Sequence, residues 1–319
     1  MIKFALLSLA ALLVAQPPAP TIPARLAEAR SFAKDQGDKL WTGYGQAPFE
    51  FLLVEKARET LLCRDTIPEG FSPAGTDAAT GCKRYTRPRS ELPDNLLAAL
   101  PIFGPPSTIV MGTPQSTGRD EPDWTRTILH EHFHQWQDSF PNIFERMSNL
   151  DLAGDDKTGM WMLNYSFPYG DAASLKAFAP AAKALSEAVA ARGTPGFGKA
   201  LSNYLAQRSA FAVAVGERNW RYAELELWKE GVARWTEIQL GRSYPDPAVQ
   251  NSAKALEART LAWFDNPDIA KAGREFVYPY GAAEAMLLEA CGPGWRSAYP
   301  NYLSLGPLFD EALRRCGKN

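Results

Sequence analysis

The three histidines of this 319-residue chain all lie between residues 130 and 134. The run reads His-Glu-His-Phe-His, so His130, Glu131 and His134 match the pattern H-E-x-x-H. Side chains at positions i and i+4 share one face of an α-helix, so a helix here lets both imidazoles bind one Zn²⁺ ion. The glutamate would then face a water molecule on the ion and accept its proton. His132 points away from this face and is expected either to be structural or to support a ligand.

The residues around the motif predict where its helix begins and ends. Asp123 is a suitable N-cap, and the helix should run from Trp124 to about Asp138. The clearest strand of the chain precedes it, at residues 107–113, and Gly112 ends that strand.

The remaining segments divide the chain into a part with strands and a part with helices. Residues 49–63 favour a strand followed by a short element, and 64–94 have the composition of a loop. Helices are expected at 24–36, 142–152, 181–192, 197–214, 217–240, 248–264 and 281–290. The pattern predicts one α+β domain over 24–319, with a small mixed sheet and the motif helix in about 24–140 and a mainly helical part in about 141–319. The zinc would lie in the cleft between these parts.

The N-terminus has the composition of an export signal. Lys3 supplies a positive charge, residues 4–14 are an apolar run, and Ala15 is a small residue at which cleavage can occur. Residues 1–15 are therefore expected to be a signal peptide and 16–23 a Pro-rich linker. The apolar run is too short to span a bilayer comfortably, so we expect a periplasmic or secreted protein with no stable membrane insertion after cleavage.

The four cysteines and the charge of the chain agree with this compartment. An even number of cysteines in an exported chain indicates disulfides. Three pairings are possible, and Cys63–Cys82 with Cys291–Cys316 is preferred because each pair closes a local loop. The cysteine spacing does not fit a zinc cluster. The formal net charge is −2 and no dense basic run exists, which argues against nucleic acid as a partner.

A catalytic zinc site needs a third protein ligand besides the two histidines. No other histidine exists, so this ligand must be a carboxylate or, less favourably, a cysteine. The helix predicted at 217–240 offers Glu217, Glu224, Glu226, Glu230 and Glu237. We prefer Glu230, because the small residues Gly231 and Ala233 would let this helix approach the motif helix closely. Asp138 and Glu145 are alternatives, whereas Glu237 is either a partner of a ligand or a solvated charge.

Two further segments resemble motifs of the gluzincin metallopeptidases, which bind zinc through two histidines and one glutamate. Residues 227–233 read Leu-Trp-Lys-Glu-Gly-Val-Ala and are similar to the Trp-x-x-Glu-Gly-Phe-Ala segment that carries the third ligand in this family. Residues 277–282 read Val-Tyr-Pro-Tyr-Gly-Ala and resemble the Tyr-x-Lys-Gly-Ala segment of the zinc aminopeptidase branch. The three motifs occur in the order found in the family.

The resemblance implies a zincin-like fold and a peptidase with one Zn²⁺ per chain, bound by His130, His134 and Glu230. Tyr278 would stabilise the tetrahedral intermediate, with Tyr280 as the substitute for this role. A peptide or protein substrate would bind as an added strand along the edge of residues 107–113.

The sequence also departs from the aminopeptidase branch. His134 and Glu230 are 96 positions apart, which implies a large helical insertion. Tyr280 replaces a lysine, and the Gly-Ala-Met-Glu-Asn strand that recognises a free amino terminus is missing. Two other functions therefore stay open, namely a zinc hydrolase that acts on a non-peptide amide and a catalytically inactive, zincin-like binding protein.

Overall fold

A computed structural model describes residues 21–156 and 159–316. The predicted signal peptide and residues 16–20 of the predicted linker lie outside these residues. The end of that linker is helical, because Thr21 caps a helix that begins at Ile22 and has Pro23 in its first turn. This helix continues to Leu40, beyond the predicted end at residue 36.

The described residues form one sheet and a set of helices. The strands are β1 (Phe51–Val54), β2 (Arg58–Leu62), β3 (Ser72–Thr76), β4 (Lys83–Pro88), β5 (Leu97–Leu100) and β6 (Thr108–Gly112). The α-helices are α1 (Ile22–Leu40), α2 (Pro114–Thr117), α3 (Glu121–Asp138), α4 (Ile143–Ser148), α5 (Trp161–Asn164), α6 (Ala172–Ala190), α7 (Phe197–Val215), α8 (Glu217–Glu226), α9 (Val232–Arg242), α10 (Pro247–Ala262), α11 (Ile269–Ala272), α12 (Val277–Ala290), α13 (Trp295–Ala298) and α14 (Gly306–Cys316). A π-helical turn at Leu227–Gly231 joins α8 to α9.

The six strands form one mixed sheet in the order β3-β4-β2-β1-β6-β5. β1 pairs in parallel with β6, and every other pair is antiparallel. Along β1, Phe51 and Leu53 enter the main core, whereas Leu52 and Val54 enter a smaller apolar cluster. Because successive side chains of a strand point to opposite faces, β1 is covered on both sides. The predicted α+β class, with a mixed N-terminal sheet followed by a mainly helical part, is confirmed.

The loop predicted at 64–94 is wrong where β3 and β4 pair with each other. β3 reads Ser-Pro-Ala-Gly-Thr and is mostly exposed at the edge of the sheet. An exposed edge strand needs no apolar alternation, so its sequence carries little of the signal from which a strand is recognised. Residues 49–63 also differ slightly from the prediction, since the short element after β1 is the antiparallel strand β2.

Both preferred disulfides, Cys63–Cys82 and Cys291–Cys316, are present. The first links the end of β2 to the residue before β4, and the second links the end of α12 to α14. Two disulfides fit a protein of an oxidising, extracellular compartment. Within the described residues, no helix has the length and apolarity needed to cross a membrane.

The motif helix α3 begins earlier than predicted. Its N-cap is Asp120, whose carboxylate accepts a hydrogen bond from the Asp123 backbone N–H at 2.8 Å. Pro122 lies in the first turn, where a missing N–H leaves no hydrogen bond unmade. Asp123, the predicted cap, is inside the helix and pairs with Arg126 at 3.0 Å. The helix ends at Asp138, as predicted.

Contacts along its length fix α3 against the sheet and the core. Near its start, the Trp124 indole N–H donates to the Gly112 carbonyl at 2.8 Å. Near its end, the Gln135 amide donates to the Ser107 carbonyl at 2.8 Å. Between them, Phe133 packs against Trp41, with ring centroids 5.4 Å apart. The helix that carries the histidines is therefore held by both hydrogen bonds and apolar packing.

The helices predicted at 181–192 and 217–240 differ most from the observed ones, and those predicted at 142–152 and 281–290 span Ile143–Ser148 and Val277–Ala290. α6 begins at residue 172 rather than 181, because Asp171 caps it and the exposed Pro180 is tolerated inside it. The predicted helix 217–240 is interrupted by the π-helical turn that contains Glu230. Such turns insert an extra residue into a helix and occur often at functional sites.

Two glycines let α12 touch the π-helical turn. A Cβ atom on Gly231 would lie 2.4 Å from the Gly281 Cα atom, and one on Gly281 would lie 2.7 Å from the Gly231 Cα atom and 2.8 Å from the Leu227 carbonyl. All these neighbours are backbone atoms, so a side chain could enter only if a helix moved. We expected Gly231 to let its own helix approach the motif helix. This expectation is wrong, because the backbone that lies close to Gly231 belongs to α12.

Replacement of Gly281 by alanine is expected to lower the free energy of unfolding by about 1–3 kcal/mol, because the added methyl group overpacks this contact. Urea unfolding of the metal-free protein would measure the change. Gly198→Ala on α7 is the matched control, because a Cβ atom at Gly198 meets no atom within 4 Å. The control should be neutral or more stable by up to about 1 kcal/mol. Equal stability of the two variants would contradict the close contact.

Candidate metal centre

Three buried side chains from two parts of the fold converge on one point. His130 and His134 come from α3, and Glu230 comes from the π-helical turn. The Nε2 atoms of the two histidines are 3.2 Å apart, and the Glu230 Oε2 atom lies 3.4 Å from the first and 3.2 Å from the second. Among the described residues, these three form the group that could hold a metal ion.

The triangle of donor atoms has the size of one face of a zinc site. In a tetrahedral site with bonds of about 2.0–2.1 Å, neighbouring ligand atoms are about 3.3–3.4 Å apart. The three separations of 3.2, 3.2 and 3.4 Å agree with this value. Two neutral imidazoles and one carboxylate also suit Zn²⁺ chemically, and three protein ligands leave a fourth position open.

Hydrogen bonds on the outer ring nitrogens orient both imidazoles toward this point. His130 Nδ1 lies 3.2 Å from Glu237 Oε2, and His134 Nδ1 lies 2.7 Å from Gln137 Oε1. The Gln137 amide group donates to Tyr299 Oη at 2.6 Å, so its oxygen is left to accept from His134. With each ring neutral and protonated at Nδ1, both Nε2 lone pairs face the Glu230 oxygen, so three acceptors meet and need a positive charge between them, either a second proton on His130 or a metal ion. A cation resolves this repulsion.

The charges around the site also favour a cation there. Burial disfavours protonation of His130, but its hydrogen bonds to Glu230 and Glu237 outweigh burial and raise its pKa to about 9. Burial likewise acts to raise the pKa of Glu237, yet Arg126 and Arg234 lower it to about 2. Glu230 has a pKa well below its usual range, because His134 and His130 outweigh its burial. The carboxylates are therefore ionised, and a positive charge between them is stabilised.

Replacement of Glu237 by glutamine is expected to weaken zinc binding about 10–100-fold, because the charged partner of the His130 ring is lost. Competition with a chromophoric chelator would measure the affinity. Glu257→Gln is the matched control, since Glu257 forms an ion pair with Arg242 at 2.5 Å and contacts neither histidine. If both variants bound zinc like the unchanged protein, Glu237 would have no role in supporting His130.

Glu131 lies inside the same buried region. It is 5% exposed, and burial raises its pKa, against the opposing effect of His130 and His134. Among the described residues its carboxylate has no hydrogen-bond partner, unlike Glu230 and Glu237. A carboxylate without a fixed partner beside a metal centre is able to accept a proton from a water molecule.

The two tyrosines named from the sequence lie in different places. The Tyr278 ring is 6.1 Å from the His130 ring, and its hydroxyl is 3.4 Å from Arg274 Nη1. Burial raises the pKa of Tyr278 well above its usual value, so it keeps its proton. Tyr280 is fully buried and packs against Phe178 with ring centroids 5.9 Å apart. The described contacts therefore place Tyr278 beside His130 of the candidate metal site and leave Tyr280 in the core.

The other acidic side chains named from the sequence are held elsewhere. Asp138 binds Ser107 and Lys229, and Glu145 is exposed on α4. Glu217 is exposed, Glu224 pairs with Arg208, and Glu226 pairs with Arg274. His132 is hydrogen-bonded to Gln135 at 3.0 Å, and burial lowers its pKa to about 4, so it is a neutral core residue.

Sequence reasoning missed the supporting residues Gln137 and Arg274. Gln137 lies three positions after His134 on α3 and could have been suspected from this helical spacing alone. Arg274 precedes α12 and contacts Glu230 through packing that no local pattern reveals.

The strand predicted to bind substrate is not at an edge of the sheet. β6 is flanked by β1 on one side and β5 on the other, so neither of its sides is free. The free edge beside it is β5, which is partly exposed and lies close to α3. The expectation that a peptide pairs along residues 107–113 is therefore wrong.

A cavity of about 850 Å³ lies between α6, α9, α10 and α12, apart from the metal centre. Trp235, Phe264 and Met286 line it, whereas none of the three candidate ligands does. The candidate site is thus identified by the geometry of its donor atoms and not by the volume of a cavity.

Comparison with known proteins identified no relative of this chain. No protein-family model matches the chain, and no similar protein was found among curated proteins or solved structures.

Proposed function

We propose that this chain is an exported zinc peptidase of the gluzincin type with a zincin-like fold. The observation that carries the proposal is the triangle formed by His130 Nε2, His134 Nε2 and Glu230 Oε2, with sides of 3.2–3.4 Å. Its size matches a face of a zinc site, and it includes both histidines of an H-E-x-x-H helix. The two disulfides support export.

The residues of the site divide the chemistry between them. Bound zinc would polarise a carbonyl group and lower the pKa of a water molecule to about 7. Glu131 takes the proton of the attacking water and passes it to the leaving amine. Tyr278 donates a hydrogen bond to the carbonyl oxygen as that oxygen becomes negative, a contribution of roughly 3–4 kcal/mol. Arg274 at 3.4 Å leaves the Tyr278 proton available, because the guanidinium can only donate to that oxygen.

The surroundings of the site favour a narrow, extended substrate. The side chains of the three proposed ligands are only 6–11% exposed, so a reacting bond must reach them through a small opening. β5 offers unpaired backbone groups at the edge of the sheet beside α3, where an extended peptide can add as a strand. Both features fit an unfolded peptide segment better than the surface of a folded protein.

Metal analysis combined with peptide cleavage tests the proposal. We expect one zinc per chain and cleavage of casein or a fluorogenic peptide library that a chelator abolishes and added zinc restores. Zinc binding without peptide turnover would point to a hydrolase of a non-peptide amide. Failure to bind zinc would overturn the proposal and favour an inactive binding protein.

A further inference from the structure

A buried guanidinium group connects the proposed ligand Glu230 to a second buried carboxylate. Arg274 lies in the short 3₁₀ turn Gly273–Phe276 before α12, and its side chain is 15% exposed. Its Nη2 atom is 2.9 Å from Glu230 Oε1 and 2.6 Å from Glu226 Oε2. Glu226 is the last residue of α8 and is fully buried.

The two carboxylate oxygens of Glu230 therefore have different partners. Oε2 faces the imidazoles at 3.2 and 3.4 Å, whereas Oε1 accepts a hydrogen bond from Arg274. A carboxylate that turned both oxygens toward the ion would occupy the position that a catalytic zinc site keeps open. The contact with Arg274 opposes that rotation, because it would break a charge-assisted hydrogen bond in a buried place.

Glu226 explains how a positive charge can be tolerated beside a metal ligand. A guanidinium paired only with Glu230 would withdraw negative charge from the ion, which weakens its binding. Glu226 gives Arg274 a second acidic partner, so the guanidinium charge is shared between two carboxyl groups, although burial raises the pKa of Glu226 to about 7 against the opposing effect of Arg274. Glu226 also fixes the position of Arg274, since a buried charge is costly unless it is paired.

We infer that Arg274 is a positioning residue that holds Glu230 as a one-oxygen metal ligand, with Glu226 as the counter-ion that fixes Arg274. The inference rests on the proposed metal function. It assigns Arg274 no contact with the substrate, and its effect acts through the orientation of the Glu230 carboxylate.

Metal binding by Arg274→Gln tests the inference without an activity assay. We expect about 10–100-fold weaker zinc binding, the usual effect of removing a residue that supports a ligand. We also expect the Co²⁺-substituted variant to absorb visible light more weakly, because a released Oε1 raises the coordination number from four to five. Arg274→Lys should recover part of both properties, since an ammonium group can still donate to Oε1. Glu226→Gln should show a smaller loss of affinity.

Controls separate positioning from stability. Arg242→Gln removes the Arg242–Glu257 ion pair, which includes none of the three candidate ligands, and should leave zinc affinity and the cobalt spectrum unchanged. Urea unfolding of each metal-free variant reports the structural cost separately. If Arg274→Gln does not fold, Arg274→Lys and Glu226→Gln carry the same comparison.

The outcomes that overturn the inference differ from those that overturn the proposed function. If the protein without substitutions binds neither zinc nor cobalt, both the proposed function and the positioning role are overturned. If the protein without substitutions binds zinc, and the variants have normal affinity and a normal cobalt spectrum but lower stability, only the positioning role is overturned. In that case the pair of Arg274 with Glu226 would be a structural ion pair alone.

Discussion

Replacement of Glu131 by glutamine is expected to leave zinc bound and to reduce kcat for peptide hydrolysis by roughly 10²–10⁴-fold, the usual contribution of a general base. The amide has almost the volume of the carboxylate, so the buried region should keep its packing. It cannot take a proton from water at neutral pH, however. Zinc content, peptide cleavage and unfolding of the same preparation would show whether only the chemistry is lost.

The matched control for this variant is Glu187→Gln. Glu187 is on the exposed side of α6 and pairs only loosely with Lys183 at 3.8 Å. We expect this variant to keep full activity. If Glu131→Gln kept its activity as well, Glu131 would not be the base, and if it lost zinc, the change would have disturbed the ligands.

Replacement of Glu230 by alanine is expected to have the largest effect on metal binding. It removes one of the three donor atoms and should weaken zinc binding by more than the roughly 10–100-fold that loss of a supporting residue costs. The metal-free protein should still fold, because Arg274 keeps Glu226 as its partner at 2.6 Å. Chelator competition would measure the affinity, and urea unfolding would confirm the fold.

Glu145→Gln is the control for this loss of affinity. Glu145 was an alternative ligand by its position after the motif, and it is exposed on α4. Its replacement should leave zinc binding unchanged. Equal affinities of the Glu230 and Glu145 variants would remove Glu230 from the ligand set and leave two histidines without a third ligand.

The parts of this molecule that the sequence predicted are those encoded by local spacing. The i and i+4 histidines require a helix, and α3 ends where its composition indicated. The strand predicted at 107–113 is the interior strand β6, and both disulfides close the local loops expected of them. Glu230, which was preferred because small residues follow it, does lie in the buried group that could hold a metal ion, although Gly231 contacts α12 and not the motif helix.

The parts that could not be predicted depend on contacts between distant segments. β3 is exposed at an edge and so lacks apolar alternation. Gly231 indicated that two helices lie close together, but its position in the sequence does not identify the second helix. In the structure Gly231 contacts Gly281 of α12. The N-cap of α3 was misplaced by three residues, because Asp120 and Asp123 are equally suitable by residue type. The Arg274 bridge depends on the packing of α12 against the π-helical turn that follows α8, which no local pattern specifies.

Anomalous diffraction from crystals grown with zinc would locate the ion directly. We expect one anomalous peak about 2.0–2.2 Å from His130 Nε2, His134 Nε2 and Glu230 Oε2, with the Glu230 Oε1 atom still on Arg274. A peak at other residues, or a fully loaded crystal in which Glu230 stands away from both imidazoles, would contradict the assignment of this site.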